Sequence, residues 1–162
     1  MTQLITDKPT LASMLMQWRQ QGESSALVPT MGSIHAGHLA LIQTASSLAD
    51  NVIVTIFVNP KQFAEGEDFD LYPRKLDADM AAILKAGGAD VVFAPQNMYV
   101  PDHATDIIPG GVAFDLETKH RPHFFTGVAT IVMKLFMQVP TDIAIFGEKD
   151  YQQLAVIRQM VR

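Results

Sequence analysis

Apolar positions along the chain follow two periods. Leu11, Met14, Leu15 and Trp18 recur at i, i+3, i+4 and i+7, which predicts an amphipathic helix with Thr10 as its cap after Pro9 and Gly22 as its stop. Leu41, Ile42, Ala45, Leu48 and Ala49 repeat the pattern, as do Leu76, Met80, Ile83 and Leu84, ended by Gly87-Gly88. Val128, Ile131, Val132, Leu135, Phe136 and Val139 form the strongest stripe, and Asp150 opens a last helix through Leu154, Ile157 and Val161. Between the helices lie short continuous apolar runs: ALVPT (26–30), VIVTIFV (52–58), DVVFAP (90–95) and DIAIFG (142–147). Runs apolar on both sides suit strands covered on both faces, as in parallel sheets. Residues 96–125 lack a period and read as loops around a short strand near Val112–Phe114. Strand–helix alternation predicts a Rossmann-like α/β fold, a doubly wound parallel sheet with helices on both faces. The chain stops after a helix with no strand to follow, which reads as an interrupted βα series.

Composition narrows the classes. At 162 residues the chain is expected to be one domain, and 48% apolar against 18% charged residues supplies a core. A net charge of −5 argues against nonspecific nucleic-acid binding, which requires a basic face, but leaves room for a small anionic ligand. There is no cysteine, so disulfides, thiolate metal sites and cysteine nucleophiles are excluded. The N-terminal stretch is broken by Asp7, Lys8 and Pro9, which rules out a signal-peptide core, and no run approaches the ~20 apolar residues of a membrane span. The chain reads as soluble and cytoplasmic.

Ligands of open parallel sheets bind beyond the carboxyl ends of the strands. The polar segments expected there are MGSIHAGH (31–38), NPKQF (59–63) and GEKDYQQ (147–153). In the first, His35 and His38 stand three apart at a strand–helix turn, Gly32 and Gly37 remove bulk, and the helix N-terminus offers unpaired N–H groups. Two readings stand. Either both imidazoles donate to a phosphate gaining charge, or one caps the helix while the other packs or is solvated. Zinc is disfavoured by the spacing, and His103, His120 and His123 supply no partner motif. Lys149 is a point charge suited to phosphate. Asp150 and Gln153 have the spacing of a capping box, which competes with a ligand role for Gln153. Gln62 either closes a turn or meets a ligand. The acidic stretch EGEDFD (65–70) reads as solvated loop. Asp77 and Asp79 are candidate Mg²⁺ ligands, with helix capping the favoured role for Asp77.

PTMGSIHAGH resembles the HxGH signature of the nucleotidyltransferase superfamily. With IFVNPKQF, YPR (72–74) and IFGEKDYQQLAVIRQMV in the same order, the chain is similar throughout to the pantothenate synthetase (pantoate–β-alanine ligase) family. The resemblance implies ATP-dependent condensation of pantoate with β-alanine through a pantoyl adenylate, releasing pyrophosphate and AMP, with Mg²⁺ accompanying ATP. It places Met31, Gly32, Ser33, Ile34, His35, Ala36, Gly37 and His38 on one side of the ATP site and Gly147, Glu148, Lys149 and Asp150 on the other. His38, His35 and Lys149 would be catalytic, and Gln62 and Gln153 would hold pantoate, Gln62 also touching β-alanine. It further implies a homodimer and neither a nucleic-acid nor a membrane partner.

Two departures accompany the resemblance. RPHFFTG (121–127) replaces the family's RPxHFxG, so Phe124 stands at the expected histidine and His123 one residue early. The family also continues with a further strand, a phosphate-binding loop and a C-terminal domain. The chain is therefore expected to be the nucleotide-binding portion, incomplete at its C-terminus and weakly active alone. The alternatives are a different HxGH nucleotidyltransferase, or a non-catalytic nucleotide-binding or dimerisation module.

Overall fold

A computed structural model of the protein describes residues 2–64, 66–67, 69–114 and 116–162. Glu65 and Asp68 of the expected acidic loop lie outside the described residues. Five strands are described: β1 (Gln3–Ile5), β2 (Ser25–Thr30), β3 (Asn51–Ile56), β4 (Val91–Phe93) and β5 (Ile143–Ala144). The helices are α1 (Lys8–Gln20), α2 (Ala36–Leu48), α3 (Leu76–Ala86), α4 (Glu117–His120), α5 (Phe124–Gln138) and α6 (Tyr151–Met160).

The chain divides into two compact units. The first comprises Met1–Val58, Pro73–Asn97 and Leu135–Phe146 and holds the whole sheet. All four pairings are parallel, in the order β1-β4-β3-β2-β5. Successive strands run outward from β2 through β3 to β4, whereas β5 lies on the other side of β2. That reversal is the switch point of a Rossmann-like sheet, and β2 sits on it. Ala26, Val28, Val52, Val54 and Val92 project from one face and are buried with Ile42 and Ala45 of α2 and Ile83 of α3. Leu27, Ile53, Val91 and Phe93 alternate to the other face and are also fully buried, which explains the unbroken apolar runs.

Aspartates tie off the amino edge. Asp50, Asp90 and Asp142, each just before a strand, accept from the backbone N–H of Ser24, Val52 and Ser25, each at 2.8 Å. The carboxyl ends of β3, β2 and β5 are adjacent at the opposite edge, and MGSIHAGH leaves β2 there.

One buried group in the sheet is mismatched. The Thr55 hydroxyl in β3 is fully buried and has no hydrogen-bond partner among the described residues. A stranded hydroxyl costs ~1–3 kcal/mol, and valine has nearly the same shape. Thr55→Val is expected to stabilise the protein by ~1 kcal/mol, read as a higher urea midpoint at unchanged slope. An unchanged or lower midpoint would contradict the assignment.

The second unit comprises Asn59–Tyr72, Met98–Lys134 and Gly147–Arg162. It holds α4, α6 and most of α5, and no strand among the described residues. Gln152 on α6 donates to the carbonyls of Val112 and Phe114 and accepts from the Glu117 N–H, so one amide secures the turn before α4.

Several local expectations are corrected. Asp7, not Thr10, caps α1: its carboxylate accepts from the Thr10 N–H, and Pro9 lies inside the first turn where its missing N–H costs nothing. Residues 111–113 form a 3-10 turn instead of a strand. DIAIFG pairs only through Ile143–Ala144. β1 is a three-residue strand with one buried side chain, too short to show a period.

Candidate functional site

The segment leaving β2 is the sharpest feature of the first unit. Gly32 and Ser33 both take positive φ, 86° and 53°, a turn that an L side chain resists. Asp79 holds it. This carboxylate, 5% exposed in the first turn of α3, accepts from the Ser33 N–H at 3.0 Å and the Ile34 N–H at 2.7 Å. A Cβ on Gly32 would lie 2.8 Å from Asp79 Oδ2, so the glycine is required by the carboxylate brace as well as by its φ. Asp77 does not cap the helix: the cap position is Lys75, with no side-chain bond. Among the described residues no three histidines or carboxylates group as a metal cage. Both Asp79 carboxylate oxygens are thus spent on the loop.

His35 caps α2 with its own ring. Its Nδ1 accepts from the Gly37 N–H at 3.0 Å, so Nδ1 carries a lone pair and the ring proton of the neutral imidazole sits on Nε2. A Cβ on Gly37 would come within 2.9 Å of that ring, so Gly37 makes room for the cap as much as for any ligand. The His38 ring stacks on His35 with centroids 4.1 Å apart. Of the two readings left open by the sequence, the structure shows the cap, with the second ring packed on the first, and capping through Nδ1 leaves Nε2–H of His35 as a donor. Ser33, His35, Ala36 and Gly37 are exposed, and Met31, Ile34 and His38 are half-buried.

In the second unit, Gln62 is 8% exposed and held by a polar network. Asn59, itself 1% exposed, donates through Nδ2 to Gln62 Oε1 at 2.9 Å and to the Gly127 carbonyl at 3.1 Å. Its Oδ1 accepts from Tyr99 Oη at 2.7 Å and the Lys61 N–H at 3.3 Å. Burial and the nearby Asp106 charge push the Tyr99 phenol well above its ordinary pKa, so it remains a donor. With a carbonyl on one end of Asn59 and two donors on the other, the amide has only one orientation. Gln62 must then accept through Oε1, which leaves Nε2 as the donor end of its amide.

Gly147 is half-buried, and Glu148, Lys149 and Asp150 are exposed ahead of α6. Lys149 makes no hydrogen bond or ion pair among the described residues. Asp150 occupies the cap position but makes no side-chain cap bond, which removes the capping box with Gln153. Gln152 is the structural amide of the pair, and Gln153 is half-buried beside it. His123, at the departure from the family pattern, has a buried Nε2 without a hydrogen-bond partner among the described residues.

Asn59 and Arg121 are residues that sequence reasoning did not single out, and Asp79 it weighed only as a metal ligand. The bracing role of Asp79 did carry a signal. It sits among Leu76, Met80 and Ile83 on the apolar face of its helix, where an unpaired carboxylate would be costly.

A parallel sheet whose switch-point strand leads by a tight turn into a histidine-capped helix defines a Rossmann-like α/β protein. Comparison with known proteins is more specific. A sequence model of the pantoate-beta-alanine ligase family matches residues 3–162, and the chain belongs to that family. It is 53% identical over 147 residues to the pantothenate synthetase of Caulobacter vibrioides, covering 90% of this chain and 51% of the relative. The crystal structure of pantoate-beta-alanine ligase (pantothenate synthetase) from Thermus thermophilus superposes with a TM-score of 0.91 at 43% identity, over 100% of this chain and 57% of that one. The pantoate-beta-alanine ligase from Francisella tularensis, complexed with beta-gamma ATP and beta-alanine, gives 0.92 at 37% identity, over 99% of this chain and 62% of that one. The chain thus spans a little over half the length of the relatives it matches. No helix among the described residues is long and apolar enough to cross a membrane.

Proposed function

We propose that this chain is the ATP- and pantoate-binding portion of a pantoate–β-alanine ligase. A pantoate carboxylate oxygen attacks the α-phosphorus of ATP and pyrophosphate leaves. The β-alanine amine then attacks the acyl carbon of pantoyl adenylate and AMP leaves. The first step turns a poor leaving group into AMP, and positive donors must meet the charge that moves onto the phosphates. The second is an acyl transfer aided by holding amine and mixed anhydride together.

In this reading Met31–His38 and Gly147–Asp150 contact ATP. His35 donates through Nε2–H, His38 acts beside it, and Lys149 adds a full positive charge. Gln62 and Gln153 hold pantoate, and Gln62 presents Nε2 to a carboxylate or hydroxyl oxygen. Mg²⁺ accompanying ATP would supply neutralisation of phosphate charge, and no residue of this chain is assigned to hold it. The observation that carries the reading is the histidine cap: the Gly37 N–H on His35 Nδ1 leaves a fixed donor at a helix N-terminus, stacked against a second imidazole.

Calorimetric titration tests it. The chain is expected to bind MgATP, and His38→Ala and Lys149→Ala are each expected to weaken it by about tenfold or more, the worth of a hydrogen bond to a charged group. Unchanged affinity in both variants would sink the assignment and favour a non-catalytic module. Nucleotide binding without any pantoate binding would favour another nucleotidyltransferase.

A further inference from the structure

Gln62 is gripped through its main chain as well as its side chain. Arg121 Nη2 donates to the Gln62 carbonyl at 2.6 Å. The same guanidinium forms a two-pronged pair with Glu67, Nε to Oε1 and Nη2 to Oε2, both at 3.0 Å, and Nη1 reaches Glu117 Oε1 at 3.1 Å. Its flat face lies 4.3 Å from the Phe124 ring centroid, a cation–π geometry. Glu67 is fixed in turn by the Ala64 N–H at 2.8 Å. Burial opposes the charge on Arg121, but the bonds to Glu67 and Glu117 outweigh it and raise its pKa; the Arg121 bond holds Glu67 below the usual glutamate range. The planar fork is what permits contacts to two carboxylates and a carbonyl at once, which a lysine cannot reproduce.

We propose that Arg121 is a positioning residue for Gln62, held in place by Glu67 and by Phe124, the residue that replaces the family's histidine. The inference rests on the reading of Gln62 as a pantoate contact. Asn59 sets which end of the Gln62 amide is left to donate, and Arg121 sets where the backbone carrying it sits. Neither Arg121 nor Glu67 need touch substrate for this effect. It also accounts for the departure in RPHFFTG, since an aromatic ring at 124 covers the guanidinium face without competing for its hydrogen bonds.

The test is a double-mutant cycle on pantoate affinity. Arg121→Ala is expected to weaken pantoate binding about tenfold and leave ATP binding within about twofold. In a Gln62→Ala background the same change is expected to have no further effect. Arg121→Lys should recover only part of the loss, and Glu67→Gln should give a smaller one. Undiminished pantoate affinity in Arg121→Ala, or an equal loss with and without Gln62, would overturn the inference. If Arg121→Ala does not fold, Arg121→Lys and Glu67→Gln carry the same cycle. If the unmutated chain binds no pantoate, the substrate assignment fails by itself. The side-chain amide resonances of Gln62, assigned by their absence in Gln62→Ala, then decide: a shift in Arg121→Lys and Glu67→Gln supports positioning, and unmoved resonances refute it.

Discussion

Asp79→Ala is expected to destabilise the protein by about 2–4 kcal/mol and to weaken MgATP binding with it. A hydrogen bond to a charged acceptor contributes ~1.5–3 kcal/mol, and this carboxylate accepts two. The sum is discounted because Ser33 is exposed and its N–H can turn to water, whereas Ile34 is half-buried and has less recourse. The turn also carries the positive φ of Ser33, a conformation of serine that persists only where its surroundings impose it. Without the brace the turn relaxes, and the entry of the chain into the His35 cap shifts. Asp79→Asn separates the two bonds, since an amide oxygen keeps one N–H while its NH₂ faces the other; about half the loss is expected. Urea unfolding reads the stability and calorimetry the affinity. Asp79→Ala within ~0.5 kcal/mol of the unmutated chain would show that the brace is ornamental.

Much of the fold was legible because its elements are long and periodic. VIVTIF and the stripe from Val128 to Val139 announce a buried strand and a buried-face helix without ambiguity. What escaped was short or non-local. β1 offers three residues and one buried side chain, and at 111–114 only Ala113 is buried while Val112 and Phe114 stay exposed, so the apolar run there marks a turn and not a strand. The HxGH segment stood out because its residues are adjacent in the chain. Its brace did not, because Asp79 lies 46 residues from Ser33 and meets it only once α3 is docked. The glycines show the same limit. Sequence offers Gly32 and Gly37 for close approach by a phosphate and cannot show the protein groups that also stand against them, a carboxylate in one case and an imidazole in the other. Asp150 erred in the opposite direction, since its spacing to Gln153 satisfies the capping-box pattern while the geometry of the turn leaves the bond unmade.

The other large effect is expected at Gly127, where two general tendencies point in opposite directions. Gly127 is interior to α5, and glycine in a helix costs ~1 kcal/mol against alanine, so propensity alone favours Gly127→Ala. The space does not. A Cβ built there would overlap the Lys61 carbonyl and lie 3.0 Å from the Gln62 nitrogen. Those atoms are backbone and cannot swing aside as a side-chain tip would, so the helix or the 60–62 turn must move. The turn is also tied to the same residue, because Asn59 Nδ2 donates to the Gly127 carbonyl. Displacement therefore strains the bond that fixes the Asn59 amide and, through it, the orientation of Gln62. Overpacking of this kind costs ~1–3 kcal/mol, and the rigid partner places it at the upper end, beyond the helical gain. Gly127→Ala is expected to lower the urea midpoint and to weaken pantoate binding more than MgATP binding. Gly127→Ser should be no better, since its Cβ is the same. A stabilised Gly127→Ala protein would mean that propensity governs this position and that the close approach of α5 to the Gln62 turn is not required.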